Sequence, residues 1–260
     1  MSKGRLRVER DGPVGRLVLD NPERRNAIGA EMWRAIPKAI GEFNSDAAIR
    51  VIVIRGEGTQ AFAAGADISE FEKNRSSGDQ VRAYEEATSA AHQTIESSPK
   101  PVIALIHGFC VGGGLAVALS CDLRYADASS RFAIPAARLG LGYGVHGIGR
   151  LVATVGHAHA REIMFSARRY DANEALAMGL VNRVLPDAEL DDHVRKVALE
   201  LASNAPLTMA ASKAVINALA EPKGDYSSAE AAVACCMKSE DYVEGRRAFM
   251  EKRAPDFKGK

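Results

Sequence analysis

The segment FCVGGGLAVALSCD (residues 109–122) joins three consecutive glycines to a run of small apolar residues that is typical of a buried helix. It directly follows KPVIALIHG (residues 100–108), which is typical of a buried strand ended by glycine. A glycine-rich turn after a strand brings main-chain N–H groups close to a ligand, at the end of an α/β sheet where ligands bind. From Gly112 to Cys121 no side chain can transfer a proton at neutral pH. We therefore expect a ligand site built from main-chain groups.

Strands and helices alternate on both sides of this segment and then give way to helices. The predicted strands are residues 15–20, 50–58, 100–108, 123–127 and 131–135, and the first predicted helices are Glu31–Asn44 and Asp79–Ser97. From Gly147 onward the pattern is helical, and the last predicted helices are Asp191–Ser203, Leu207–Leu219 and Ser227–Met250. This order predicts an α/β core over residues 1–195 and a C-terminal helical region over residues 196–260.

Composition excludes several classes of function. The 260-residue chain is 47% hydrophobic and 26% charged, with a formal net charge of +1. This charge and the absence of a lysine-rich helix argue against a nucleic-acid partner. The four cysteines have no disulfide or metal-binding spacing, which indicates reduced thiols and no metal: Cys110, Cys121, Cys235 and Cys236. No stretch is typical of a signal peptide or a membrane span, so we expect a cytoplasmic protein.

One glycine pattern needs separate consideration. Residues 142–147 read GYGVHG and match the G-x-G-x-x-G pattern of dinucleotide-binding turns. Such a turn should follow a buried strand, but the preceding residues read IPAARLGL, with a proline and an arginine. We therefore do not expect a dinucleotide site. Residues 108–114, GFCVGGG, lack the G-K-[ST] ending of a phosphate-binding loop.

Two segments of small residues stand out together. FAAGAD (residues 62–67) follows one predicted strand, and VGGG (residues 111–114) follows the next. Two N–H groups that converge at the ends of neighbouring strands can hold a negatively charged oxygen. The alternative is that both segments are tight turns in which glycine only supplies a positive φ. The residues alone leave both interpretations open.

Five motifs in order resemble one protein family. They are RRNAI (24–28), AFAAGADI (61–68), GFCVGGGLAVALSCD (108–122), ALAMGLVNRVLP (175–186) and FMEKRAPDFKG (249–259). Together they resemble the crotonase superfamily of enoyl-CoA hydratases and isomerases, from Val14 to Lys258. The resemblance implies a ClpP-like spiral of ββα units, with a C-terminal helical layer that builds trimers or dimers of trimers. It also implies a coenzyme A thioester as substrate, with no tightly bound cofactor and no metal.

The resemblance also implies roles for particular residues. The N–H groups of Ala66 and Gly113 would form an oxyanion hole for the thioester carbonyl. Residues matching the family's contacts with coenzyme A are Arg25, Ala27, Ala64, Asp67, Ile68, Phe249 and Lys252, the last two from this or a neighbouring subunit. Ser69 stands where some hydratases have a lysine, so one phosphate contact is absent. A carbonyl held by two fixed donors becomes an electron sink, and each donor contributes about 3–4 kcal/mol in the transition state.

The two glutamates of the family's hydratases are missing. One would lie two residues after the triple glycine, where this chain has Ala116, and the other would follow Pro135, where it has Ala136. Hydration needs a base to activate water and an acid to protonate carbon, so we expect poor hydratase activity. We expect Asp67 and Asp122 to have structural roles.

The turn RLGLGYGVHG (residues 138–147) offers Tyr143 and His146 as remaining candidates. It is similar to the corresponding turn of the family's methylmalonyl-CoA decarboxylases, which also has a tyrosine. Decarboxylation needs an oxyanion hole but no glutamate pair, and the phenol of Tyr143 could donate a hydrogen bond to the departing carboxylate. The alternative is that Tyr143 only closes the turn, and that His146 is a surface histidine. Ala66 differs from the polar residue that decarboxylases of this group can carry there.

Two functional hypotheses therefore remain. The first is a lyase of acyl-CoA metabolism, including fatty-acid metabolism, acting either as a decarboxylase or as an atypical hydratase with a displaced base. The second is an acyl-CoA-binding protein or assembly subunit with little or no catalysis, which the alanines at 116 and 136 favour.

Overall fold

The computed structural model describes residues 4–67, 78–220 and 226–260, so Ile68 and Ser69 lie outside the described residues. The strands are β1 (Arg5–Asp11), β2 (Val14–Asp20), β3 (Val51–Gly56), β4 (Ala61–Ala63), β5 (Val102–Ile106), β6 (Phe109–Val111), β7 (Leu123–Asp127), β8 (Arg131–Ala133), β9 (Tyr170–Asp171) and β10 (Arg183–Leu185). The helices are α1 (Ala30–Ser45), α2 (Gly78–Glu96), α3 (Gly113–Ser120), α4 (Ala136–Leu139), α5 (Val145–Ser166), α6 (Ala172–Ala177), α7 (Asp187–Ser203), α8 (Pro206–Leu219), α9 (Ser227–Met237) and α10 (Glu240–Glu251).

The strands form two sheets, ordered β1-β2-β3-β5-β7-β10 and β4-β6-β8-β9. In chain order, β5, β6 and α3 form one unit, and β7, β8 and α4 form the next. Each unit gives its first strand to the larger sheet and its second strand to the smaller sheet. This is the ββα repeat that the family resemblance implies. Because β4 and β6 pair in parallel, the turn after β4 lies beside the turn after β6.

The larger sheet is covered on both faces. Ile52 and Ile54 of β3 belong to the main core, with residues of α1, α2 and α3. Val51 and Val53 belong to a second cluster, with Val194 of α7. Successive residues of a strand point to opposite faces, so this alternation places α7 on the face opposite the main core.

One strand was missed from the sequence, and one helix prediction needs correction. The strand β1 was not predicted, because RLRVERD is rich in charge; it forms the edge of the larger sheet and pairs with β2 alone. The prediction of a single helix from Ser227 to Met250 is wrong. The chain leaves the first helix at Lys238 and begins α10 after Ser239, whose Oγ accepts a hydrogen bond from the N–H of Tyr242 at 3.1 Å. Because an N-cap residue has non-helical main-chain angles, Ser239 separates the two helices.

The C-terminal helices carry apolar side chains on their surface. Those of the described residues that are strongly exposed are Ile216, Leu219, Val233, Met237, Val243, Phe249 and Met250.

The helix α7 begins at Asp187, one turn earlier than predicted, and runs through the division expected between residues 195 and 196. None of the helices in the described ranges is both long and apolar enough to cross a membrane.

Candidate functional site

The first loop of the site, residues 64–67, is held against residues 25–28. Within this loop Gly65 has a φ of 114°, a value that favours glycine. The N–H of Ala64 donates to the carbonyl of Arg25 at 2.9 Å, and the N–H of Ile28 donates to the carbonyl of Gly65 at 2.8 Å. The N–H of Asp67 in turn donates to the carbonyl of Ile28 at 3.1 Å. These bonds fix the direction of the main chain on both sides of Ala66.

Asn26 makes the neighbouring turn rigid. Arg25 and Asn26 both have positive φ, 50° and 57°. The buried side chain of Asn26 donates to the carbonyl oxygens of Glu57 at 2.9 Å and Ala61 at 2.7 Å, which ties the turn to β4. Asparagine tolerates this conformation better than most residues. The turn therefore presents Arg25 and Ala27 beside the first loop.

The second loop, residues 111–114, requires glycine for two different reasons. Gly112 has φ 52° and ψ −116°, a conformation that side chains rarely adopt. At Gly114, a Cβ would lie only 2.3 Å from the carbonyl oxygen of Ala63, so the close packing of α3 on β4 leaves no space for one. Gly112 therefore has the positive φ expected of a turn glycine, whereas Gly114 lies in α3 and is required by packing.

Ala66 and Gly113 lie next to each other. A Cβ built on Gly113 would lie 3.4 Å from the nitrogen of Ala66, and one built on Gly65 would lie 3.8 Å from the nitrogen of Gly113. Within residues 4–67, 78–220 and 226–260, neither N–H donates to a main-chain or side-chain acceptor. Two neighbouring main-chain donors without an acceptor offer what an anionic oxygen needs.

The positions that lack glutamate are both buried. Ala116 lies in α3 and is 8% exposed, and Ala136 is the first residue of α4 and is 3% exposed. Asp67 does not take their place, because its carboxylate accepts from Arg24 Nη1 at 2.7 Å. Asp122 accepts from the N–H of Val102 at 2.7 Å and from Lys213 Nζ at 2.9 Å, so both aspartates make structural contacts.

Tyr143 lies between α4 and α5 and packs against the main core. Its ring covers the start of α5, where a Cβ on Gly147 would lie 2.9 Å from Tyr143 Cε1. Burial raises the pKa of Tyr143 to about 12, so the phenol is a hydrogen-bond donor at neutral pH. His146 is exposed on the first turn of α5. The glycine pattern at 142–147 follows α4 rather than a strand, which removes the structural context of a dinucleotide site.

A set of polar side chains behind the second loop was not predicted from the sequence. Trp33 of α1 is buried, and its Nε1 donates to Tyr84 Oη at 3.0 Å. The ring of His92, from α2, lies 5.4 Å from the ring of Trp33, centroid to centroid. His92 Nδ1 lies 3.0 Å from Ser120 Oγ, and Ser120 Oγ donates to the carbonyl of Ala116 at 3.0 Å. Burial, with a smaller contribution from the positive charge of Arg150, lowers the pKa of His92 to about 3.

A second histidine, His107, lies among carboxylates on the side of the larger sheet that α7 covers. His107 Nδ1 lies 2.8 Å from Asp127 and 2.9 Å from Asp187, and its Nε2 lies 2.7 Å from Asp191. Burial alone would lower the pKa of His107, but the hydrogen bonds to Asp127 and Asp191 outweigh it and raise that pKa to about 9. A histidine that donates from both nitrogens has no lone pair to offer to a metal ion.

Phe249 and Lys252 do not join the two loops within one chain. Phe249 is 83% exposed on α10, and Lys252 ends that helix with φ 54°. Among the described residues, neither has a hydrogen bond or ion pair to the loop residues.

Comparisons with known proteins agree on one family. The model of the enoyl-CoA hydratase/isomerase family matches residues 9–260. The chain is 34% identical to a short-chain-enoyl-CoA hydratase of Clostridium acetobutylicum, over 95% of this chain and 94% of that protein. It is 35% identical to a carnitinyl-CoA dehydratase of Salmonella typhi, over 98% of each.

Solved structures give the same result for the fold. An enoyl-CoA hydratase/carnithine racemase from Magnetospirillum magneticum is 36% identical, with a TM-score of 0.93 over 98% of this chain and 96% of that one. An enoyl-CoA hydratase from Bacillus anthracis is 30% identical, with a TM-score of 0.90 over 98% of this chain and 99% of that one. These similarities confirm the fold predicted from the sequence motifs.

Proposed function

The chain belongs to the enoyl-CoA hydratase/isomerase family, and on this basis we propose that it is an enzyme acting on an acyl-CoA thioester. The thioester oxygen accepts hydrogen bonds from the N–H groups of Ala66 and Gly113. The observation that carries the proposal is that these two donors are adjacent and have no acceptor among the described residues. Negative charge that develops on the oxygen is stabilised by both donors, each contributing about 3–4 kcal/mol.

The coenzyme A portion of the substrate lies along the first loop in this proposal. Arg25, Ala27, Ala64 and Asp67 support it because main-chain bonds hold residues 25–28 and 64–67 together. The ligand arrives as part of the substrate, and no additional tightly bound cofactor is invoked.

The reaction that we favour is a lyase reaction that does not need two carboxylates. In decarboxylation of a malonyl-type thioester, the C–C bond to the carboxylate breaks, carbon dioxide leaves, and the electron pair of that bond enters the thioester as an enolate. The enolate then takes a proton from solvent. The protein must hold the carboxylate out of plane and stabilise the oxyanion. The protonated phenol of Tyr143 supports this reaction as a donor to the carboxylate, and the methyl groups of Ala116 and Ala136 provide an apolar wall.

Atypical hydration is the second candidate, and the names of the relatives favour it. Relatives include a short-chain-enoyl-CoA hydratase and, from Syntrophomonas wolfei, a crotonyl-CoA hydratase. With alanine at 116 and 136, hydration requires a proton acceptor elsewhere in the pocket.

A substrate panel tests the proposal. The protein is incubated with methylmalonyl-CoA, malonyl-CoA and crotonyl-CoA, and products are identified by mass. Loss of 44 mass units from a malonyl-type substrate supports decarboxylation, and gain of 18 from crotonyl-CoA supports hydration. Calorimetric binding of these thioesters without conversion would replace the proposal with an acyl-CoA-binding protein or assembly subunit.

We also propose that the protein forms a homotrimer or a dimer of trimers. The exposed apolar side chains of α8, α9 and α10 support a contact between copies of the chain. A neighbouring subunit would then bring Phe249 and Lys252 to the nucleotide end of the substrate. Light scattering after size-exclusion chromatography tests this: a mass of three or six chains supports it, and a monomer contradicts it.

A further inference from the structure

An aromatic side chain that no step of the proposed chemistry uses lies beside the two main-chain donors. A Cβ built on Gly113 would lie 3.3 Å from Trp33 Cζ2 and 3.4 Å from the nitrogen of Ala66. The edge of the indole and the nitrogen of the first donor are therefore both close to one point next to Gly113. This places Trp33 at the border of the proposed oxyanion hole.

The same packing explains why residue 113 is glycine. Gly113 is the first residue of α3 and, unlike Gly112, it has no positive φ. Its lack of a side chain is instead a matter of space, because a methyl group would press on both Trp33 and the nitrogen of Ala66. The main chain at Gly113 therefore lies close to the indole, with no room for a side chain between them.

The indole is held in place from several directions. Trp33 belongs to α1, is 1% exposed and forms part of the main core. Its Nε1 donates to Tyr84 Oη at 3.0 Å, which ties the ring to α2. The ring of His92, also from α2, lies 5.4 Å away between centroids, with the two planes tilted by 58°. Because protein interiors are closely packed, a side chain held in this way resists displacement of the main chain against it.

We propose that Trp33 is a positioning residue of the oxyanion hole. The inference rests on the proposed function, because it needs the thioester oxygen at Ala66 and Gly113. The indole edge holds the start of α3 at a fixed distance from the first loop, and this distance sets the separation of the two N–H groups. Its apolar surface also keeps water from that side of the donors, which strengthens their hydrogen bonds to the oxygen.

The infrared band of a bound thioester carbonyl tests this role. Butyryl-CoA labelled with ¹³C at the carbonyl is the probe, because a saturated acyl group without a second carboxylate can be neither hydrated nor decarboxylated. We expect binding to wild type to move the band to lower frequency. This downshift should be smaller in Trp33→Phe, which removes the ring edge that reaches Gly113, and mostly lost in Trp33→Leu.

Turnover should follow the band. A misplacement of about 1 Å can cost about 10² in rate, so we expect Trp33→Leu to lower the turnover of a converted thioester by about 10–10²-fold. The Kd for free coenzyme A, which has no acyl carbonyl, should stay within about twofold of wild type in both variants. Trp33→Phe is the milder change and provides the same comparison if Trp33→Leu does not fold.

Phe43→Leu is the matched control. Phe43 is a fully buried aromatic residue of the same helix and the same core, and its ring packs against Gly15 of β2. This variant should lose stability as the Trp33 variants do, while the carbonyl band of bound butyryl-CoA stays where it is in wild type.

A double substitution tests the contact itself. Gly113→Ala places a methyl group 3.3 Å from Trp33 Cζ2, so the start of α3 must shift. Trp33→Phe makes room for that methyl group, so the two changes together should reduce the downshift by less than the sum of their separate effects. Additive effects would show that the indole does not set the position of Gly113.

The outcomes distinguish the two proposals. A wild-type protein that does not bind butyryl-CoA, or binds it without a downshift, contradicts the proposed function. A wild-type downshift that persists in both Trp33 variants, or that Phe43→Leu reduces equally, overturns the role of Trp33 and leaves the proposed oxyanion hole intact.

Discussion

His92 and His107 lie on opposite sides of the larger sheet and differ in their partners and in the direction of their pKa shifts. His92 lies among Trp33, Ser120 and the apolar core, and its pKa is lowered to about 3. His107 lies among three carboxylates, and its pKa is raised to about 9. Both are largely buried, so burial alone does not decide the charge of an imidazole. The partners of the imidazole decide its charge. They therefore also decide whether the ring keeps a lone pair or forms a charged contact.

The two regions differ in how their polar groups are paired. His107 connects the end of β5 to Asp127 at the end of β7 and to Asp191 on α7. The N–H of Gly108 also donates to Asp127, at 3.3 Å. Among the described residues, the neighbourhood of Ala116 has no comparable charge network, and the N–H groups of Ala66 and Gly113 have no acceptor. The comparison can be tested from both sides.

The largest expected effect comes from removing the crosslink. His107→Ala leaves Asp127, which is fully buried, without its charged partner. Breaking one side of a buried ion pair costs about 3–5 kcal/mol, so the free energy of unfolding in urea at pH 7 should fall by that amount. His157→Ala on the surface should change it by less than about 0.5 kcal/mol. A loss of less than about 1 kcal/mol in His107→Ala would contradict the role of His107.

The pH dependence of stability should sharpen the comparison, because the two histidines act with opposite sign. The folded pKa of His107 lies above its unfolded value of 6.5, so its contribution is complete below pH 6.5 and is lost as pH rises through about 9. The folded pKa of His92 lies below 6.5, so its contribution is complete above pH 6.5 and is lost as pH falls toward about 3. For His107 the loss should be about 3–4 kcal/mol.

Urea unfolding from pH 4 to pH 10 measures both contributions. In His107→Gln the alkaline loss should disappear while the acid loss remains, and in His92→Asn the reverse should hold. Equal profiles for the two variants would show that the titrating groups lie elsewhere.

A substitution in the second loop tests how closely the site is packed. In Gly114→Ala the new methyl group would lie 2.3 Å from the carbonyl oxygen of Ala63, so β4 and α3 must separate. We expect a loss of about 1–3 kcal/mol in unfolding free energy, together with lower turnover. Gly41→Ala is the control, because no atom lies within 4 Å of the added Cβ in α1. It should stabilise the protein by up to about 1 kcal/mol, and a similar gain in Gly114→Ala would refute the close packing.

The smallest effect is expected for Tyr143→Phe. If the phenol donates to the carboxylate of a malonyl-type substrate, its removal should reduce turnover about tenfold, while the Kd changes little. Steady-state kinetics and calorimetry measure the two quantities. Unchanged turnover would leave Tyr143 with the role of closing the turn over Gly147.

Most of the fold follows from patterns that are local in the sequence. Buried strands such as Val102–Ile106 are continuous apolar runs, and the glycines at 112–114 mark the turn after β6. The strand β1 was not predicted, because its many charged residues are not typical of a buried strand. The break between α9 and α10 was not predicted, because the helical pattern of the sequence continues through Ser239, which caps α10.

The candidate site was predictable only in part, for a physical reason. The donors proposed at Ala66 and Gly113 are main-chain groups, and the motifs around them predict that role. The roles of His92 and His107 depend on partners that are distant in sequence, such as Ser120, 28 residues away, and Asp191, 84 residues away. Only the folded chain shows that one histidine meets a hydroxyl and the other meets carboxylates.

The central claim concerns main-chain N–H groups that substitution cannot remove, so spectroscopy tests it most directly. The infrared band of a ¹³C-labelled thioester carbonyl is measured for crotonyl-CoA in water and bound to the protein. Hydrogen bonds from Ala66 and Gly113 should polarise the carbonyl and move its band to lower frequency on binding. A bound thioester whose carbonyl band stays at its frequency in water would contradict the account.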